Sequence, residues 1–290
     1  MLLIVGEAIV VYQRDVGPAG ADTPYAGPWP SGAPAIAAYV AARLGVPTAF
    51  VGGVGRDAHG QVMRDGLGAA GVDLGHLVEV ADAPTATARI TYRGEGHREF
   101  DFAVAGTAAT RVTEADLGDL PERAAWLHMS GSALIFGEPL AATALAALRR
   151  AHRAGARVSV DPNVRPESTN ARALLDVLPL AHVLLPTEGE LEALGADVDA
   201  LVAGGATVCT TRGPAGALVR DGTGTTAVPA VPVEPVDTDG AGDSFAAGFI
   251  AASLAGADPR TAARAGVAVA AQAIRVTGPM TVVPSLPALR

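Results

Sequence analysis

The stretch Asp237–Phe249, DTDGAGDSFAAGF, decides how the rest of the chain is read. A polar, acidic approach (Asp237, Thr238, Asp239) runs into Gly240-Ala241-Gly242. Asp243 follows, and then Phe245, Gly248, Phe249 and Ala252 recur at helical spacing. Small residues at the mouth of a helix leave backbone N–H groups approachable, and the helix N-terminus carries partial positive charge. Together they make an anion site suited to a phosphate or to charge that develops in a reaction. A carboxylate there, Asp243, is out of place in a site that only binds anions. It makes sense where a proton is removed beside a phosphoryl group. A plain glycine turn, with Asp243 stabilising the first turn of the helix, explains an isolated GxGD equally well. The remainder of the chain has to decide.

Composition narrows the classes. A chain of 290 residues, 49% hydrophobic and 18% charged, can bury a substantial core as one large α/β domain or two average ones. Its net charge of −9 and its 4% of aromatic residues argue against nucleic acid as a partner. Cys209, the single cysteine, lies in an apolar run and reads as a buried structural thiol. The six histidines are scattered, without the spacing of a zinc site. No apolar run is long enough to span a membrane, and MLLIVGEAIV lacks a basic leader region, so a cytoplasmic protein is expected. The chain contains no lysine. A Walker-type GxxxxGK[ST] loop and a Schiff-base lysine are therefore excluded. Any phosphate must be handled by backbone N–H groups, arginine and metal.

Taken in order, the chain alternates strands and helices. Leu2–Val5 reads as a strand ending at Gly6-Glu7, and 13–34 as a Gly- and Pro-rich excursion. A helix over Pro34–Leu44 follows, then a strand over Thr48–Val51, the loop GGVGRDAHG and a helix over about 58–70. Thr85–Tyr92 and Arg98–Phe102 alternate apolar and polar residues around Arg93-Gly94-Glu95-Gly96, the pattern of a hairpin with one wet face. With 10–30, this hairpin suggests a small sheet laid over the main body. The α/β rhythm then resumes through strands at 126–129, 157–160, 182–185 and 206–210. Two short strands, 216–220 and 225–228, and helices over about 242–254 and 259–276 complete it. Such alternation predicts a mostly parallel sheet with helices on both faces, whose ligands sit at the carboxyl ends of the strands. The polar clusters fall at those ends: Gly6-Glu7, Gly52–Gly60, Ser130-Gly131, Asp161–Arg165, Thr187–Glu190, Thr211–Gly216 and Asp237–Asp243. A chain that merely buried a core would have no reason to place carboxylates, Asn and Arg at so many strand ends.

Phosphoryl transfer needs an acceptor base, charge stabilisation, metal and a nucleotide cradle. Asp243 suits the base, since an unperturbed aspartate is ionised at neutral pH. Gly240, Ala241 and Gly242 supply backbone donors for the transferring group. Glu190 could hold Mg²⁺ through water, because Mg²⁺ usually keeps several waters. Arg165 could clamp phosphate oxygens. Thr211, Arg212, Gly213 and Gly216 form a loop after a strand that could wrap a nucleotide. Each also has a structural alternative: Glu190 as a solvated helix residue, Arg165 as a turn ion pair, Gly213 and Gly216 as turn formers.

With these residues in hand, the chain resembles the PfkB (ribokinase-like) carbohydrate kinase family. Asp237–Gly248 matches its C-terminal signature, DTxGAGDxFxxG. Ser31–Ala37, Ala42–Gly45 and Phe50–Asp57 with Gly60 match its N-terminal signature. Asp161-Pro162-Asn163-Val164-Arg165-Pro166 resembles the DPNxR segment of the fructokinase and 2-keto-3-deoxygluconate kinase branch. Thr211–Gly216 resembles the nucleotide loop. The matches run in family order along nearly the whole chain.

The resemblance implies one ribokinase-like α/β domain over 1–290, with a lid from about 10–30 and 85–103. It implies transfer from ATP-Mg²⁺ to a hydroxymethyl group, with Asp243 as base and Gly240–Gly242 as anion hole. It implies a monovalent cation such as K⁺ near Asp237 and Asp239, Thr187 and the 211–216 loop at the nucleotide, and a homodimer formed through the lid. Acceptor-site positions are carried onto Val11, Gly32, Ala33 and Ile36. Four of the family's residues differ here. The sugar-binding Asp is Val11, the first Gly of the GG pair is Ser31, the sugar-binding Asn is Ile36, and the Asn of NxxE is Thr187. The first three cluster at the acceptor, where loss of polar partners changes the hydroxyl pattern a site selects. The expected acceptor is a sugar, sugar acid or nucleoside, with lid arginines such as Arg89 or Arg98 suited to an acid. A catalytically weak metabolite sensor is the alternative. A dinucleotide-binding oxidoreductase ranks below both, because no GxGxxG follows the first strand.

Overall fold

Leu2 and Ile4 join one hydrophobic core, while Leu3 and Val5 join another. That alternation is the period of a strand buried on both faces, and it sets the architecture. The computed structural model describes residues 1–16, 23–93, 98–165 and 170–288. Gly94–Gly96, the Arg98 side chain and Pro166 lie outside that description.

The elements in chain order are β1 (Leu2–Val5), β2 (Ile9–Asp15), β3 (Ala26–Ser31), α1 (Ala33–Arg43), β4 (Thr48–Gly55), α2 (Ala58–Ala70) and β5 (Leu77–Val80). Then come β6 (Ala86–Tyr92), β7 (Arg98–Ala103), α3 (Leu120–Arg123), β8 (Trp126–Ser130), α4 (Leu140–Arg153), β9 (Arg157–Asp161) and α5 (Ala171–Val177). The chain ends with β10 (Val183–Leu184), α6 (Glu190–Ala193), α7 (Val198–Ala203), β11 (Thr207–Thr211), β12 (Ala217–Asp221), β13 (Gly224–Val228), α8 (Ala241–Leu254) and α9 (Pro259–Ala273).

Nine strands form one sheet in the order β13-β12-β11-β10-β9-β8-β1-β4-β5, and β3-β2-β6-β7 form a second. From β11 to β5 every pairing in the large sheet is parallel, and only β12 and β13 run antiparallel at one edge. Helices α1, α8 and α9 cover one face with Leu2 and Ile4; α4 and α5 cover the other with Leu3 and Val5. α8 and α9 approach closely because both carry glycine at the crossing. A Cβ on Gly248 would lie 3.0 Å from the Gly266 Cα, and one on Gly266 would lie 2.8 Å from the Phe245 carbonyl.

Two segments differ from the sequence reading. Gly52–Gly55, read there as the start of a loop, continues β4 and pairs with β5, a strand too short and irregular to be read. The glycines permit it: a Cβ on Gly53 would lie 2.1 Å from the Ala108 carbonyl, and one on Gly55 2.6 Å from that of Ala83. Ala26–Ser31, read as part of an irregular excursion, is strand β3 at the edge of the small sheet. Pro28 and Pro30 are compatible with an edge, where a missing N–H breaks no interior ladder.

Asp57 roots the small sheet on the large one. It caps α2 by accepting from the Gly60 N–H (2.7 Å), and it accepts from the Thr85 N–H (2.8 Å) and hydroxyl (2.7 Å) just before β6. Burial opposes ionisation of Asp57, but these donors outweigh it and hold the carboxyl below its ordinary range.

Candidate active site

The carboxyl ends of β1, β8 and β9, the mouth of α8 and the inner face of the small sheet enclose one pocket. Its polar side carries Glu7, Ser132, Asn163, Arg165, Asp239 and Asp243. Its apolar side carries Ile9, Val11, Ile36, Ala88 and Ile90, with Phe100, Phe102 and Phe136. Gly32 and Ala33 close the end at the start of α1.

The mouth of α8 is built as its sequence dictates. Gly240 is left-handed (φ 74°), and a Cβ there would lie 3.1 Å from Ile36 Cγ2. Only glycine takes that turn without strain against Ile36. Gly242 has open space where a Cβ would stand, so a ligand can approach the backbone closely. Asp243, 9% exposed, sits in the first turn.

Asp243 corrects one expectation. Burial first, and then the nearby carboxylates Asp161, Asp239 and Glu7, raise its pKa well above that of an ordinary aspartate; Arg165 opposes them. Asp161 behaves alike: burial and then the Glu190 charge push it up to about 7. The Arg165 charge opposes the rise at both Asp161 and Asp243. The Arg165 guanidinium lies over the rings of Phe100 (5.2 Å) and Phe102 (5.4 Å), which stack on each other at 5.7 Å.

A chain of short hydrogen bonds fixes the loops. Asp161 accepts from the Asn163 N–H (3.0 Å), and Asn163 Nδ2 donates to Ser130 Oγ (3.2 Å). Glu190, raised by burial, accepts from the Val164 N–H (2.6 Å) and the Thr187 N–H (2.7 Å). It thereby staples the Arg165 loop to the Thr187 loop. Thr187 Oγ1 lies 3.4 Å from Thr211 Oγ1, and the Arg212 N–H donates to the Gly216 carbonyl (2.8 Å), folding the 211–216 turn. Gly213 and Gly216 are left-handed, and a Cβ on Gly216 would lie 2.1 Å from the Val228 carbonyl. Arg212 Nε is buried without a partner among the described residues.

Asp237 is a knot rather than an open ligand. Its Oδ1 accepts from the Tyr92 hydroxyl (2.6 Å) and the Asp239 N–H (2.9 Å), and its Oδ2 from the Gly278 N–H (2.9 Å). Among the described residues no group of three or more His, Cys, Asp or Glu side chains is placed to hold a metal. Cys209 is buried, and burial pushes its thiol up to about 12, so it stays protonated.

Of the positions singled out in the sequence, Asp243, Asp239, Arg165, Val11, Gly32, Ala33 and Ile36 meet in the pocket. Thr187, Thr211, Arg212, Gly213 and Gly216 gather beside it at the ends of β10 and β11. Arg89 does not belong with the acceptor residues. The pleat of β6 turns Ala88 and Ile90 to the pocket and Arg89 to the opposite face, where it is 61% exposed and pairs with Asp101 (3.7 Å). Glu7, Asn163 and Phe136 line the pocket without having been assigned a role. For Glu7 the available signal was its place directly after the first strand.

No helix among the described residues is long and apolar enough to cross a membrane. The model of the pfkB family carbohydrate kinases matches residues 2–286 of the chain. A fructokinase of Salmonella typhimurium is 38% identical over 246 residues, 79% of this chain and 78% of its own length. The crystal structure of a Vibrio cholerae fructokinase with fructose, ADP and calcium ion superposes with a TM-score of 0.85 at 29% identity, covering 99% of this chain and 97% of its own. That of Salmonella enterica aminoimidazole riboside kinase, complexed with aminoimidazole riboside and an ATP analog, gives 0.84 at 27%, covering 98% and 96%.

Proposed function

This chain belongs to the pfkB family of carbohydrate kinases, and from that premise we propose that it transfers the γ-phosphoryl group of ATP to a hydroxymethyl group of a small sugar, sugar acid or nucleoside, with Asp243 as general base. The observation that carries the reading is the meeting of Asp243, the open Gly240–Gly242 turn and Arg165 at one pocket.

The acceptor hydroxymethyl lies against Asp243, whose carboxylate takes its proton as the oxygen bonds to the γ-phosphorus. The bond from that phosphorus to the bridging oxygen breaks, and ADP leaves. Charge on the moving phosphoryl faces the N–H groups of Gly240, Ala241 and Gly242 at the positive end of α8. Burial makes the ionised Asp243 a stronger base than an ordinary aspartate. Thr187, Thr211 and Gly213–Gly216 flank the nucleotide, and the unpartnered Arg212 Nε fits an anionic ligand there. Mg²⁺ carried by the nucleotide supplies charge neutralisation on the phosphate oxygens. Glu190, with both oxygens already held by backbone N–H groups, would help hold such an ion through water. A monovalent cation such as K⁺ would share Asp237 with three protein donors.

The small sheet is the lid. The pocket encloses about 90 Å³, whereas a cavity of roughly 150 Å³ is needed to hold benzene. A sugar therefore enters as the sheet moves outward and is covered as it returns. The edge strands β3 and β7 are the surfaces through which two copies would pair.

ADP release in the presence of D-fructose, D-ribose, sugar acids and nucleosides tests the reading. Acceptor-dependent release supports it. Nucleotide binding without release on any acceptor would favour the metabolite sensor.

A further inference from the structure

Glu7 is the one buried carboxyl of the pocket that the transfer itself does not use. It follows β1 directly, is 1% exposed and lines the same wall as Gly32, Ala33 and Ser132. Ser132 and the Ala33 backbone sit at its carboxyl, yet Oε2 has no hydrogen-bond partner among the described residues. A buried polar atom left unpaired is rare and costly in a folded protein, and a ligand is one of the few explanations. The neighbouring positions make the case specific. Ile9 and Val11 continue the wall as hydrocarbon, and Ile36 packs against the Gly240 turn. Nothing at 9, 11 or 36 can pair with an acceptor hydroxyl. The polar side chains on that wall are Glu7, Ser31 and Ser132, and of these Glu7 alone is charged, its charge reaching Asp243.

We propose that Glu7 binds the acceptor, its Oε2 receiving a hydroxyl proton of a polyhydroxylated substrate while a different hydroxyl of that substrate faces Asp243. The inference rests on the kinase reading above and adds to it the residue that selects the acceptor. An acceptor of this class needs at least two hydroxyls: one on the hydroxymethyl group to be phosphorylated, and one placed to donate to Glu7. Burial pushes the Glu7 carboxyl up to about 7, so its ionised form, which accepts from hydroxyl donors and repels an acidic group, is gained as pH rises through that value. It therefore favours neutral sugars and nucleosides over sugar acids.

The test compares wild type with Glu7→Gln and Glu7→Asp, using D-fructose, D-ribose, D-gluconate and adenosine, followed by the monodeoxy analogues of the best acceptor. The expected result is an acceptor KM raised about 10- to 100-fold in Glu7→Gln, the scale of a hydrogen bond to a charged group. The KM for ATP stays unchanged. One monodeoxy analogue is poor for the wild type but no poorer than the parent for Glu7→Gln, a signature that general loss of structure does not produce. Glu7→Asp keeps the charge and withdraws it, so it reproduces the acceptor defect even if Glu7→Gln fails to fold. Unchanged acceptor KM in an active variant overturns the role of Glu7 alone. So does a fall in kcat with equal effects on every analogue, which would mark a structural role. A wild type that binds no member of the panel, judged by unchanged thermal unfolding in its presence, overturns this inference together with the kinase reading.

Discussion

The two ends of the pocket are built from different materials. On the proposed reading, the phosphoryl end is backbone: a left-handed Gly240, an uncrowded Gly242 and the first turn of α8. The acceptor end is side chain: Val11, Ile36, the Phe100–Phe102 stack and one buried carboxyl, Glu7. A backbone cradle tolerates little change, because at a φ of 74° any Cβ is strained and would crowd Ile36 at 3.1 Å. A side-chain wall can be rewritten one residue at a time without disturbing the strands that carry it. The two ends are thus separable. On the proposed reading, changes at Asp243 strike kcat for every acceptor, while changes at Glu7 strike chiefly the acceptor KM and reach the chemistry only through the Asp243 pKa.

The largest effect that can break this separation is that of Asp243→Asn. The variant keeps the shape of the side chain and removes the base. Turnover should fall by about 10²–10⁴ with all acceptors, the usual contribution of a positioned proton acceptor. The KM for ATP should stay within about twofold, because the N–H groups of Gly240–Gly242 are untouched. Single-turnover measurements with the best acceptor decide it. Near-normal turnover would remove Asp243 from the chemistry.

This division also explains what was legible in the sequence. A left-handed glycine turn at a helix mouth leaves a trace in letters, so the turn at Gly240–Asp243 could be read before any fold was known. The apolar run Leu2–Val5 and the repeated strand–helix spacing likewise carried the α/β sheet. Strand β5 escaped because LVEV is too short to show a period, and β4 was cut short because glycines that serve interlayer contact look like a loop. The acceptor wall escaped for a different reason. Arg89 was one residue out of phase: the pleat of β6 decides which of Ala88, Arg89 and Ile90 faces the pocket, and a charged residue attracts notice whichever way it points. The raised pKa of Asp243 was invisible because it depends on Asp161, Asp239 and Glu7, brought together from three separate strand ends and loops. The Asp237 motif position was legible, but its partner Tyr92 lies 145 residues away and is joined to it only by the fold.

Tyr92 is where the two ends are coupled, and it carries the next effect in size. Along β6 it follows Ala88 and Ile90 on the pocket face, and its hydroxyl donates to Asp237 at 2.6 Å, a length typical of a bond to a carboxylate. Asp237 in turn holds the Asp239 N–H, one residue before Gly240. Tyr92→Phe deletes one hydroxyl and should lower kcat by about 3- to 10-fold, consistent with a charge-assisted hydrogen bond partly expressed in the transition state. It should also raise the acceptor KM, because Tyr92 anchors the far end of the lid strand. Faster amide exchange at Asp239 and Gly278 in the variant would report the loosened knot directly. If kcat and KM are both unchanged, the lid and the anion hole act independently and the separation is complete.

The smallest effect sharpens the comparison from within the phosphoryl end. Asp161 is the first neighbouring charge that raises the Asp243 pKa, after burial itself. Replacing it by Asn removes a negative neighbour, so the ionised form of Asp243 becomes easier to reach and its pKa falls. The acid limb of kcat/KM, which reports the free enzyme, should therefore move to lower pH. Burial remains, so the limb should stop short of the ordinary aspartate range. Burial and the Glu190 charge push Asp161 itself up to about 7, so its own ionisation overlaps the wild-type limb, and the variant limb should be simpler. On the acid side the variant should outpace wild type by a few-fold relative to its own plateau. The plateau itself can drop, since Asp161 also holds the Asn163 N–H. A limb that stays in place would mean that burial alone sets the base. A limb that moves to higher pH would mean that Asp161, not Asp243, is the group whose ionisation limits the reaction.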